Sequence, residues 1–250
     1  MPHLVFHMSV ARELADTLSH PTLDAYRGAY YMGSTGPDMH ILDGRKRSLS
    51  HYFELDELHE QNSVATFFEA HPELRCPDEL RGGAPAFVAG YISHLVIDEL
   101  WITEIYRPVF GPDSPLGGDA RANIMDRVLQ YDMDLERRRR AEITREIRAV
   151  LLGSDLDLDI AFVDSASLRR WRDVAVEMLE RPPSWDRFRY LAGRFLLNAG
   201  IDTEEKLDEF LSTVPDLLRE AKEHVTEHRM TEFLHAVTTG SLAALRRYLK

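Results

Sequence analysis

The chain has 250 residues, enough for one large domain or two small ones, and its 44% hydrophobic content rules out a disordered chain. Its 42 acidic against 30 basic residues give a formal net charge of -12. That balance argues against binding nucleic acid or an anionic membrane through charge alone, although a bound metal cluster would reverse the sign locally. The single cysteine, Cys76, excludes an internal disulfide and fits a reducing compartment. The N-terminal "MPHLVFHMSV" lacks the basic and apolar regions of a secretory leader, and no run approaches the ~20 consecutive apolar residues that span a bilayer. A cytoplasmic protein without stable membrane anchoring is expected.

Helical periodicity runs through the chain. "HLVFHMSVARELADTL" places Leu4, Met8, Ala11 and Leu14 on one face of a first helix that ends near residues 19–21. "TLDAYRGAYYM" reads as a short second helix, followed by the turn-rich "GSTGPDMHILDGRKRS". A helix is expected over 61–71, and a longer one over 84–107 that Pro108 stops. "FGPDSPLGGDA" is a loop by its glycines and prolines.

From 119 to 152 the pattern is helical again. The pairs Asp134/Arg138, Glu136/Arg140 and Arg138/Glu142 at i,i+4 spacing predict a solvated face, which also takes in the "ERRRR" run. "GSDLDLDIAFVDS" alternates like a strand but lacks the glycine and terminal glutamate of an EF-hand loop, so it reads as a connector. Further helices are expected over 165–180, 186–199 and 203 to about 235. A last one, "SLAALRRYLK", carries Leu242, Leu245 and Leu249 on one face. With no run of alternating strands and no tandem repeat, the class is all-α.

The eleven histidines are unevenly placed. In "GYISHLVIDELW", His94 and Asp98 stand at i and i+4 and therefore share a helix face. Taken alone, HxxxD favours a core imidazole donating to a carboxylate. The flanking Val88, Ile92, Leu95, Val96, Ile97 and Leu100 would desolvate Asp98, however, and a buried carboxylate needs a cation. None lies in this segment, the nearest being Arg107. His3 and His7 form a second i,i+4 pair, Asp38 follows a Gly-Pro turn in "GSTGPDMH", and "SLSHYF" presents His51. Together they make an N/O donor set suited to zinc.

Four segments in this order, "HLVFHMSVA", "YYMGSTGPDMH", "SLSHYF" and "FVAGYISHLVIDELW", resemble the zinc-dependent phospholipase C family and in particular its prokaryotic branch. That family is related to the single-strand-specific zinc nucleases. The resemblance implies one all-α domain over 1–250, with 1–107 as its metal-binding part and 108–250 as additional helices without a recognised motif. It implies a metal site of Asp38, His51, His94 and Asp98, in which Asp98 bridges toward a second ion held by His7. At that second ion the family uses its mature N-terminal residue, usually tryptophan. Here removal of Met1 would expose Pro2, which leaves His3 as a substitute ligand.

Where the secreted enzymes of the family carry histidine six residues after the HxxxD aspartate, this chain has Glu104, a harder ligand that suits manganese, magnesium or iron. The family's next histidine motif has no counterpart; "NIMDRVLQYDMD" offers only Asp126, Asp132 and Asp134. His224, His228 and His235 read as a solvated helix face rather than as ligands.

The resemblance implies a metal-dependent hydrolase of a phosphoester with one to three divalent ions, zinc first, manganese or iron as alternatives. Asp38 and Asp98 are the implied catalytic carboxylates, Asp38 orienting or deprotonating the attacking water and Asp98 holding the ions at their spacing. The expected substrate is a small soluble molecule rather than a lipid surface or nucleic acid; oligomeric state is left open. Two rivals stand beside this: a metal-dependent biosynthetic enzyme acting on a non-phosphate substrate, and a helical binding protein with a structural metal.

Overall fold

The computed structural model describes residues 3–42, 44–55, 59–188 and 193–250. Among them there are helices and no strand, so the all-α class holds. Helix α1 (Leu4–Leu18) is followed by α2 (Pro21–Ala25), α3 (Arg27–Gly33), a 3-10 turn (Gly36–Leu42), α4 (Ser48–His51) and α5 (Ser63–Ala70). Helix α6 (Ala84–Leu100) continues into a π-helical segment (Trp101–Phe110). The second half comprises α7 (Ala120–Arg138), α8 (Ala141–Gly153), α9 (Ser165–Glu180), α10 (Gly193–Asn198), α11 (Glu204–Val225) and α12 (Glu227–Tyr248). Several starts are set by side-chain caps that satisfy the otherwise orphan first-turn amides: Asn62 accepts from Ala65 N–H, Asp119 from Ala122, Asp164 from Ser167 and Thr203 from Lys206.

Helix α6 is the axis of the fold. Every residue from Ala84 to Leu95, and Asp98 beyond, is buried, so it is sheathed on all sides instead of showing one apolar stripe. The rod Ala84–Phe110 is long and apolar enough to cross a membrane (mean hydropathy 1.2), but 78% of that window is buried inside the protein, where it serves as a core helix. Helix α3 meets it backbone to backbone. A Cβ on Gly90 would stand 2.1 Å from the Tyr30 carbonyl oxygen, and one on Gly33 would stand 1.9 Å from that of Phe87. On another side α12 lies along α6, with Gly240 near Val96 and Leu100 and with Phe233 edge-on to Trp101 at 5.2 Å. A second, smaller apolar cluster joins Val128, Tyr131 and Leu135 of α7 to Phe188, Leu196 and the α11 residues Leu207, Phe210 and Val214.

Several expected boundaries move. Pro108 does not stop its helix: the chain continues to Phe110 with i→i+5 bonding, seen in Gly111 N–H donating to the Tyr106 carbonyl at 2.8 Å. A proline ring clashes with the carbonyl four residues back, and the wider turn relieves that clash. The second helix is broken at Tyr26, and the stretch 119–152 divides between Arg138 and Ala141. The helix expected from 203 to about 235 ends at Val225, because Thr226 takes φ 61 and ψ 150 and restarts the chain as α12, which absorbs the final "SLAALRRYLK". Of the helix expected over 186–199, only Gly193–Asn198 is seen as such; residues 189–192 lie outside the described ones.

The expectation that Asp134 and Arg138 share a solvated face is also overturned, since both are buried. Arg138 Nη2 donates to the carbonyls of Arg181 and Pro182. The Asp134 carboxylate accepts from Val5 and Phe6 N–H at 2.9 and 3.0 Å, closing the N-terminus of α1 from 128 residues away. Burial pushes the Asp134 carboxyl up to about 6, only partly countered by the Phe6 amide and Arg138. A raised carboxyl pKa means the folded state takes up a proton first, so this group adds stability as pH falls from about 6 toward about 4. Asp134→Asn should therefore stabilise the protein relative to wild type near neutral pH, and that advantage should shrink at about pH 5; Asp134→Ala, which also loses the α1 amide bonds, should lie about 1–3 kcal/mol below Asp134→Asn at both. Urea unfolding of the three proteins at the two pH values measures this. An Asn variant whose difference from wild type ignores pH would contradict it.

Candidate metal centre

The site lies where α1, the 3-10 turn, α4 and α6 converge. His94 and Asp98 project from α6 one turn apart, and His94 Nε2 is 3.2 Å from Asp98 Oδ2. His51, from the end of α4, places its Nε2 3.3 Å from the same oxygen, 3.4 Å from Asp38 Oδ1 and 3.2 Å from His94 Nε2. His7 of α1 stacks on His94, centroids 4.0 Å apart, and brings its Nε2 within 3.4 Å of Asp98 Oδ1. Two donor triads result, His7/His94/Asp98 and Asp38/His51/His94, each with its ligand atoms within 4.8 Å of one another. The imidazoles and Asp98 are buried, and Asp38 is the carboxylate on the exposed edge, its side chain 21% accessible.

The outer contacts fix which nitrogen of each ring faces inward. His94 Nδ1 lies 2.9 Å from the Ser34 carbonyl, and His51 Nδ1 lies 3.2 Å from the Arg47 carbonyl. A carbonyl only accepts, so His94 Nδ1 carries the hydrogen and its Nε2 faces the centre, while His51 Nδ1 also meets the Ser50 hydroxyl at 3.0 Å. The two Nε2 atoms thus face each other and two carboxylates. Such a set of acceptors requires a cation among them, either protons or a metal ion, and imidazole with carboxylate is the donor chemistry of zinc. The residues present therefore fit the ion.

The electrostatics agree. Burial alone would raise both carboxyls, yet the facing histidines hold Asp38 and Asp98 well below the usual carboxylate range, so both stay ionised. Burial opposes charging His94, but Asp98, Asp38 and the Ser34 carbonyl together outweigh it and leave the ring more basic than usual. His7 goes the other way, lowered by burial and by His94 beside it.

The other proposed ligands fall elsewhere. Glu104 stands exposed on the π-helical segment and belongs to neither triad. His3 is near but outside the triads: its ring is edge-on to Tyr131 at 5.7 Å, its Nε2 is buried without a hydrogen bond among the described residues, and burial, with Arg127 adding to it, lowers its pKa to about 3. Met1 and Pro2, the expected source of an N-terminal donor, lie outside the described residues. The downstream carboxylates are engaged in structure. Asp126 accepts from Trp101 Nε1–H and Gln130, Asp132 pairs with Lys222, and Asp134 closes α1. His224, His228 and His235 are exposed, as expected of a solvated face.

One participant was not anticipated. The only cation sought for Asp98 was within its own helix, yet Arg47 reaches it from the loop before α4, Nη2 to Oδ2 at 3.2 Å. Its spacing held the signal: Arg47 is four residues before His51, and its own carbonyl is what orients that ring.

The all-α scaffold holds a buried histidine–aspartate cluster whose donor atoms could hold a metal ion. Within that class, residues 6–101 match the family model described as zinc dependent phospholipase C, which bears out the resemblance carried by the four sequence segments. The matched stretch contains His7, Asp38, His51, His94 and Asp98, and leaves out both His3 and Glu104. No curated protein and no solved structure matches the chain.

Proposed function

We infer that the protein is a divalent-metal-dependent hydrolase acting on a phosphoester of a small molecule, with zinc as its first-choice ion. The observation that carries this reading is the convergence of His51 Nε2, 3.2–3.4 Å from Asp38, Asp98 and His94, with His94 Nε2, 3.2 Å from Asp98, where α1, α4 and α6 meet and Asp38 forms the exposed edge. His51, His94, Asp38 and Asp98 would hold one ion; His7 with Asp98 would contribute to a second. When bound, such an ion generates a nucleophile from water at neutral pH and offsets charge on phosphoryl oxygens.

The chain's own residues supply the rest. The Ser34 carbonyl would hold His94 in its ligating tautomer, and the Arg47 carbonyl and Ser50 hydroxyl both border His51 Nδ1. Asp98, touched by all three histidines, sets the distance between the two triads. Asp38, ionised and at the exposed edge, would orient an attacking water by accepting a hydrogen bond from it.

One observation favours a second reading. The Arg47–Asp98 ion pair gives the carboxylate a cation without any metal, as a helical binding protein with a metal-free polar core would need. Metal analysis by mass spectrometry on the purified full chain separates the two. At least one equivalent of zinc, manganese or iron is expected, and stripping it with a chelator should abolish hydrolysis of chromogenic phosphoesters. A folded wild type that carries no metal and takes up none on addition would sink the hydrolase reading.

A further inference from the structure

Helices α7 and α9 lie outside the family-matched stretch, yet both reach segments that carry the metal-site residues. Helix α7 does so through Asp134, which takes the Val5 and Phe6 amides just ahead of His7. Helix α9 does so through Trp171. This residue is buried, and its indole Nε1–H donates to the Thr35 hydroxyl at 3.0 Å, across 136 positions of chain.

Thr35 is fully buried in the turn between α3 and the 3-10 segment. Its hydroxyl accepts from Trp171 and donates to the Met32 carbonyl at 3.2 Å, so two partners on different elements set its rotamer. Its own carbonyl accepts from the Asp38 amide at 3.1 Å. The residue before it is Ser34, whose carbonyl stands 2.9 Å from His94 Nδ1. Thr35 therefore joins the group that orients His94 to the backbone that carries Asp38, by a peptide bond on one side and a hydrogen bond on the other. Helix α4 has a comparable tie inside the matched stretch, where Tyr91 O–H donates to the Ser50 carbonyl at 2.6 Å, next to His51. For the turn at residues 34–38 the tie comes from α9.

We propose that Trp171 is a positioning residue of the metal centre, holding through Thr35 the turn that sets both Asp38 and the imidazole of His94. A buried indole needs an acceptor for its N–H, and core filling alone would be met by any carbonyl nearby. Here the acceptor is the side chain of the turn itself, so the hydrogen bond fixes the turn rather than only satisfying the ring. Partners that orient metal ligands from outside carry much of a site's affinity, because a ligand held a fraction of an ångström away binds less well. The second half of the chain, without a recognised motif of its own, thereby acquires a role as the outer frame of the centre. The brace rests on the reading that the cluster holds an ion, and it is tested by metal binding rather than by turnover.

The probe is cobalt, titrated into the metal-stripped full chain, with affinity and the visible absorption of the bound ion as readouts. Trp171→Phe keeps a ring in the core and removes the donor, while Thr35→Val keeps the shape and removes the acceptor. Each should weaken cobalt binding by about tenfold and shift its absorption bands, the scale of losing an outer partner of a ligand. The double variant should lose no more than either single one, and Thr35→Ser, which retains the hydroxyl, should bind as wild type does. Wild-type affinity and spectrum in both single variants, or losses that simply add, overturn the brace and leave the metal reading intact. A wild type that takes up no cobalt sinks the metal reading instead. The brace is then decided in the metal-free chain by NMR of the His94 Nδ1 proton, which should exchange with solvent faster in Trp171→Phe; an unchanged rate overturns it.

Discussion

Replacing Asp98 with Ala should cost the protein its metal and its activity together. Asp98 is the residue on which the whole cluster depends: His7, His51, His94 and Arg47 all lie within 3.2–3.4 Å of its two oxygens. Loss of an outer-shell partner alone lowers metal affinity by about 10–100-fold, so loss of this central ligand should exceed about a hundredfold. Turnover should fall by about a thousandfold or more, or ~4 kcal/mol of transition-state stabilisation. Truncation also leaves a buried guanidinium facing imidazoles, so the variant should be destabilised by about 3–5 kcal/mol. Asp98→Asn separates these effects, since it keeps the volume and removes the charge. A chelator should lower the melting temperature of wild type and leave that of Asp98→Asn unmoved, because only a ligand bound to the native state shifts its stability. If Asp98→Asn retains a full equivalent of metal and wild-type turnover, the assignment of this cluster as the metal centre fails.

Gly90→Ala is expected to damage both the fold and the site with a single added methyl. The new Cβ would sit 2.1 Å from the Tyr30 carbonyl oxygen and 2.6 Å from the Ser34 nitrogen, both backbone atoms that no rotamer change can move aside. Helices α3 and α6 would have to separate, and overpacking of this kind costs about 3 kcal/mol or more. The same displacement carries the Ser34 carbonyl away from His94 Nδ1, so the loss should be read twice, as a lower urea midpoint and as weaker metal retention. An alanine variant with wild-type stability would mean that the close α3–α6 crossing is not the native one. Gly44 offers a control at a glycine with nothing within 4 Å of its Cβ; its positive φ of 69 predicts only the modest strain of a left-handed residue.

How much of this was legible in the sequence depends on the range of the signal. The HxxxD pair of α6 was readable because helical spacing alone puts His94 and Asp98 on one face. The joining of His7, Asp38 and His51 to them rested on resemblance, since no local rule brings residues 43 and more positions apart into contact. Helix existence was read well and helix ends poorly. Thr226 carries no breaker signal, yet its positive φ divides a predicted helix, while Pro108, a strong breaker, is passed over by a change of helical register. Charge pairs misled in one place. Asp134 and Arg138 have the spacing of a solvated pair, but their partners, the α1 amides and the Arg181 and Pro182 carbonyls, are far away in sequence and bury them. Arg47 escaped notice because its partner carboxylate, Asp98, lies 51 residues away in another helix.

The α3–α6 crossing has a consequence for how an ion is received. With backbone against backbone at Gly33 and Gly90, neither helix can slide, and the imidazole of His94 is oriented before any ligand arrives. In small zinc modules the metal organises the chain and chelation unfolds it. The α3–α6 packing does not depend on an ion, so an ion held by the cluster would cost less ordering entropy than one that must fold the chain around itself. Exchange of one ion for another then becomes a substitution within a finished mould, whose selectivity is governed by donor type and spacing rather than by the capacity of the chain to rearrange.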